Sequence, residues 1–238
     1  MNITSSAISE NLTQKQPSPL YFLLDLTIYI ALMFLIREIY FSEFHFIANG
    51  LFWSSTTLIA AMLFMRIRNV SWKEIGLRNP DNYKQAITAT IFILIFTIVS
   101  MVILNILKDN FGLQLAADES DQQAASKFGE LAGNWLLFLS IIPFVWVQSA
   151  FEELLDRGFL INWVERVFSS TWFATIIAVL FQAMLFGFRH SYDLSERSVT
   201  VGLIGLAMGV GYVAFGRNLW PLIIAHCVLN TMSLLGRV

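Results

Sequence analysis

Charge is scarce in this chain. Of its 238 residues only 13% are Asp, Glu, Lys or Arg, where a soluble domain carries about a quarter. Cysteine is nearly absent as well. Cys227 stands alone, which excludes an internal disulfide and any cysteine cluster for zinc, and a lone thiol among apolar neighbours reads as buried and inert. Neither sign of charge dominates, with 15 Lys and Arg against 17 Asp and Glu. No basic stripe interleaved with aromatics runs along the sequence, so nucleic acid is excluded as a partner. Two hydrolase signatures are also missing, the His-Glu-x-x-His zinc motif and the Gly-x-Ser-x-Gly nucleophile turn. No cofactor and no metal site is expected.

What the chain has in place of charge is hydrocarbon, at 56% hydrophobic residues. Seven apolar stretches, near 20–41, 46–65, 86–107, 135–166, 171–190, 198–216 and 219–235, each approach the roughly 20 residues that cross a bilayer as a helix. The fold class is therefore all-α: a polytopic membrane helix bundle of about seven transmembrane helices, multi-pass, in the cell membrane with lipid as its surroundings. Residues 1–19 read as a polar tail and not a signal peptide, 20–134 as peripheral membrane helices and loops forming a shell, and 135–238 as the catalytic membrane core. The loop with Arg66, Arg68, Lys73, Arg78 and Lys84 is the most basic, which puts it and the N-terminus on the cytoplasmic side. The 108–134 loop, rich in Asp and Glu, falls outside and has room for a surface helix. Pro143 predicts a kink or a fresh helix start, with the working helix running from there to Phe168. Gly205-x-x-x-Gly209 predicts close helix packing.

Against this background Glu152-Glu153-Leu154-Leu155-Asp156-Arg157 stands out, since ionisable groups inside membrane spans are functional by default. Glu153 and Arg157 are four apart on a helix and can pair, in a supporting role. Glu152 lies about 100° around and is left as the candidate base. Asp156, four after Glu152, either faces a polar cavity beside it or points to water or lipid headgroups, and the second reading is taken. His190 ends the fifth span, and His226 and Asn230 share a face of the seventh. Asp25 and the Arg37/Glu38 pair lie near span ends, where charged groups reach the interface. At about 1.5 Å per residue, Glu152, His190, His226 and Asn230 stand at heights scattered from about 12 to about 29 Å, so their convergence needs helix tilt.

Glu152-Glu153-x-x-x-Arg157, Phe186-x-x-x-His190 and His226-x-x-x-Asn230, in that order on successive spans, resemble the CAAX protease and bacteriocin-processing family of intramembrane glutamate proteases. The resemblance covers about residues 135–235. It implies that Glu152 and His190 activate a water and that His226 and Asn230 stabilise the oxyanion, in an endopeptidase acting on a membrane-associated protein or peptide. Two departures stand beside it. Asp156 occupies a position commonly apolar or aromatic in the family, and Arg189 precedes His190. Peptide hydrolysis needs an activated water and donors aimed at the oxygen that gains charge, and these four side chains supply both. Two other readings remain open: a non-catalytic immunity, scaffold or regulatory protein of the same fold, and a metal-dependent membrane hydrolase using Glu152, Asp156, His190 and His226.

Overall fold

Large apolar side chains cover much of the outer surface of this protein, and a set of polar ones lies inside beside the apolar core. In the computed structural model, which describes residues 18–116 and 128–238, Leu63, Ile87 and Leu136 are exposed while Asn49, Glu153, Asp156, Arg157 and Gln182 are buried. Hydrocarbon as solvent demands that order, because polar groups there must be satisfied within the protein. The described residues form seven helices: α1 Pro19–Arg37, α2 Phe46–Ile67, α3 Tyr83–Phe111, α4 Trp135–Val167, α5 Trp172–Ser191, α6 Glu196–Ala214 and α7 Trp220–Leu235. Six are long and apolar enough to cross a membrane, and α7 is a shorter apolar helix. The bundle is thus the polytopic one expected, with small displacements at span ends. Nearly all of the expected tail, and residues 117–127 of the acidic loop, lie outside the described residues.

Local chemistry sets the helix ends. Pro19 and Pro221 open α1 and α7, where a missing N–H costs nothing. Asn82 caps α3 by accepting from the backbone N–H groups of Lys84 and Gln85 at 3.0 and 3.2 Å. Gly112, at φ 66°, ends it in the left-handed conformation that glycine tolerates.

Helix α4 is the axis of the bundle. Pro143 does not interrupt it, as a single lost donor is tolerated in a membrane helix. The irregularity falls further on, where Leu154–Ile161 winds as a π-helix. The Asn162 side chain covers carbonyls of this wider turn, donating to Gly158 O at 2.7 Å, and it also reaches the Tyr212 hydroxyl at 2.9 Å. Gly158 lets two neighbours close in, since a Cβ there would stand 3.2 Å from Leu219 Cδ1 and 3.4 Å from Ile75 Cδ1. Every residue from Leu155 to Glu165 is buried, as befits a helix surrounded by others. Helices α1, α2, α5 and α6 pack around this stretch, and Phe159 stacks on Trp163 at 4.2 Å between ring centroids.

Two ion pairs lock one end of the bundle. Asp25, expected at the interface, is instead buried and takes Arg68 Nε at 2.7 Å. Glu165 takes Arg217 in a two-pronged pair at 2.6 Å for each prong. Hydrogen bonding to these carboxylates raises both guanidinium pKa values above the ordinary one. Helices α5 and α6 approach as the glycine pattern predicts. A Cβ at Gly205 would lie 3.1 Å from Phe186 Cδ1, and one at Gly209 would lie 2.8 Å from Gln182 Nε2.

Candidate active site

The site is built on α4, α5 and α7. Arg157 NH1 donates to Glu153 Oε1 at 3.0 Å, with both side chains fully buried, so the expected i, i+4 pair forms. The same carboxylate oxygen lies 2.7 Å from Nδ1 of His226. A carboxylate only accepts, so Nδ1 carries the proton, and Nε2 is left 3.7 Å from Glu152 Oε2. Arg157 is fixed in turn by Gly205 O at 3.3 Å and by the Phe186 ring, whose centroid lies 4.4 Å from the guanidinium carbon.

Glu152 is the accessible member of the cluster, with 13% of its side chain exposed. Among the described residues its one hydrogen bond comes from Gln148 Nε2 at 3.1 Å, and that amide also reaches Ser54 Oγ on α2 at 2.7 Å. Nδ1 of His190 lies 2.6 Å from Phe186 O. A carbonyl cannot donate, so this nitrogen bears the proton and Nε2 keeps its lone pair. His190 and Glu152 are not hydrogen-bonded but lie within reach of each other's charge. The Phe186 ring has His190 on it at 4.5 Å and His226 at 6.1 Å, so packing on one aromatic ring brings together histidines whose heights along straight spans differ widely. Asn230 Nδ2 donates to Ser149 Oγ at 2.9 Å, and Ser149 is tied back to Val145 O at 2.9 Å.

Asp156 departs from the expectation. It does not point to water or headgroups: it is buried, 2.6 Å from Arg189 NH2 and 3.8 Å from Arg157 NH1. A carboxylate held inside an apolar bundle needs a cation, and Arg189 at the end of α5 supplies one. The two departures from the family pattern are therefore partners of each other. Helix α1 is also more than a shell. Tyr29, Met33 and Arg37 follow at intervals of four along one face. The Tyr29 hydroxyl is buried with no hydrogen bond among the described residues, within electrostatic reach of Asp156 and Arg189. Met33 Sδ meets Arg189 NH1 at 3.8 Å, and Arg37 lies over the Trp53 ring at 3.9 Å.

Gln148 and Ser149 are the site residues that sequence reasoning passed over. Each stands four before a glutamate on the same helix, a spacing that could have drawn them in. Among the described residues no group of three or more His, Cys, Asp or Glu converges as metal ligands do, and Asp156, one of the four residues of the metal reading, is engaged by arginines.

Residues 134–232 match the family model described as Rce1-like, type II CAAX prenyl endopeptidase Rce1-like. Those residues are similar to that family, in keeping with the CAAX protease and bacteriocin-processing resemblance. The matched segment runs from the start of α4 into α7 and so contains Glu152, Glu153, Arg157, His190, His226 and Asn230. Helix α1, with Tyr29, Met33 and Arg37, lies outside it. No curated protein and no solved structure matches the chain.

Proposed function

We propose that this protein is an intramembrane endopeptidase of the glutamate type, cleaving membrane-anchored substrates of the CAAX class that the family description names. One observation carries the reading. Of the three neighbouring carboxylates, Glu153 and Asp156 are buried and held by arginines, while Glu152 is paired with no arginine or lysine among the described residues, is partly accessible and faces the His226 imidazole.

The chemistry runs through these groups. A water between Glu152 and His190 gives a proton to the Glu152 carboxylate while the His190 Nε2 lone pair orients it. The oxygen bonds to the scissile carbonyl carbon. His226, its Nδ1–H held by Glu153, donates from a protonated Nε2 to the oxyanion, and the ionised Glu153 stabilises that imidazolium. Asn230 has a second N–H free for the same oxygen, since its first goes to Ser149. The C–N bond then breaks and the proton on Glu152 passes to the departing amine.

The test is cleavage of a prenylated CAAX peptide by purified protein in nanodiscs. Glu152→Gln is expected to lower kcat about 10²- to 10⁴-fold, the range of a lost general base, with thermal unfolding unchanged. A variant that cleaves as fast as the parent removes the assignment.

A further inference from the structure

Arg37 is a cation without an anion. Among the described residues its guanidinium makes no hydrogen bond and no ion pair. It lies 3.9 Å from the Trp53 ring centroid and 5.4 Å from that of Tyr192. Arg189 stands within electrostatic reach, with NH2 engaged by Asp156 and NH1 meeting the Met33 sulfur. Glu152 is within reach of both arginines. Asp156 balances Arg189 and Glu152 lies within reach of both, but among the described residues no carboxylate is paired with Arg37, and a guanidinium kept so in a half-buried membrane site costs free energy unless an anion enters. Stacking on aromatic rings holds a guanidinium by its face and leaves its edge N–H groups free, in the fork geometry that fits a carboxylate.

We infer that Arg37, assisted by Arg189, is a receptor for the terminal carboxylate of the substrate. This rests on the endopeptidase reading above. A CAAX substrate ends in a free carboxylate, and that anion must enter an apolar cleft together with the residues that will depart. Three extended residues place it about 10 Å from the scissile bond, so its receptor belongs beside Glu152 and not upon it. A charge-assisted, two-pronged contact there fixes the register in which the chain is cut. Arg37 is a binding residue in this account, and it confines the enzyme to bonds a set distance from a chain end.

The test is equilibrium binding of the tripeptide Val-Ile-Met, as free acid and as amide, to the protein in zwitterionic nanodiscs, with the parent and with Arg37→Gln. Neither form has to be cleaved for binding to be read. The parent is expected to prefer the acid by roughly ten- to a hundredfold, the range for a hydrogen bond to a charged group. Arg37→Gln should bring the ratio close to one, and Arg37→Lys, which keeps the charge and loses the fork, should fall between. A merely structural role for the stacked arginine would lower the melting temperature of Arg37→Gln and leave the ratio alone, which overturns the inference. A parent that does not distinguish acid from amide overturns it too. That includes the case in which phosphatidylglycerol in the nanodisc raises the melting temperature of the parent and not of Arg37→Gln, since the cation then serves a lipid headgroup. Glu152→Gln separates the two readings: if it cleaves like the parent while acid preference still depends on Arg37, the catalytic assignment fails and the carboxylate site stands.

Discussion

Nδ1 of His226 and Oε1 of Glu153 lie 2.7 Å apart, and Arg157 donates to that same oxygen at 3.0 Å. One buried carboxylate oxygen thus orients a histidine on α7 and neutralises an arginine on its own helix. Glu153 acts as a positioning residue: it decides which nitrogen of His226 faces the cleft. Glu153→Gln keeps an accepting oxygen but removes the charge, leaving the buried Arg157 with only Asp156, 3.8 Å away and shared with Arg189, as a counter-charge. Breaking a buried pair from one side costs about 3–5 kcal/mol, so the variant should melt well below the parent. Where it still folds, kcat should fall while KM changes little, because the imidazolium form of His226 loses its counter-charge. Thermal unfolding and steady-state kinetics on the same preparation check both parts.

Asp156 and Arg189 make a second buried pair, at 2.6 Å, and its two ends can be removed separately or together. Asp156→Asn or Arg189→Met leaves one charge without its nearest partner and should destabilise the fold by up to about 3–5 kcal/mol, whereas Asp156→Leu combined with Arg189→Met should recover most of that loss. The double variant separates structure from function. If the pair only ties α4 to α5, activity returns with stability. If Arg189 also binds substrate, stability returns and KM stays high. Melting temperatures and KM for the three proteins read the difference.

The span positions, the glycine contact between α5 and α6, and the Glu153–Arg157 pair were legible in the sequence because each follows from one helix's own periodicity or composition. Asp25 and Asp156 were misplaced for a common reason. A charged residue in a span reads as an interface residue until a partner from another helix is known, and Arg68 is 43 residues from Asp25, Arg189 33 residues from Asp156. The π-helical turn at Leu154–Ile161 was likewise hidden, as it depends on Asn162 reaching carbonyls and Tyr212. Tyr29, Met33 and Arg37 form a regular stripe, but the stripe acquires meaning only once α1 packs against α4.

Ser149 holds Asn230 through Nδ2 at 2.9 Å, which leaves the amide one N–H to offer the substrate. Losing an oxyanion donor costs about 10²- to 10³-fold in kcat, the expected effect of Asn230→Ala. Ser149→Ala leaves the amide in place but free to turn, and a drop of roughly tenfold is expected. Because the serine acts only through the asparagine, the double variant should be no slower than Asn230→Ala alone, a departure from additivity that two independent contributions would not show. The three values of kcat under saturating substrate decide it.

Asp193, in the turn between α5 and α6, extends the argument to pH. Hydrogen bonds from Ser195, including its backbone N–H at 3.0 Å, hold this exposed carboxyl below the usual carboxylate range. Its folded value is thus depressed relative to about 3.9 in the unfolded chain. The stability it contributes is present in full above that unfolded value and is lost as pH falls through the folded one. The same turn is closed by Ser198 Oγ donating to Asp193 O at 2.6 Å, and it follows directly on the end of α5 that carries His190. Asp193→Asn should therefore lower the melting temperature slightly at neutral pH, with the difference shrinking as pH falls below the unfolded value, so that the two curves converge in acid. Parallel curves across that range would show that the carboxylate contributes nothing through its charge. Activity at neutral pH should fall modestly with the variant, because a looser turn lets the His190 end of α5 move relative to Glu152.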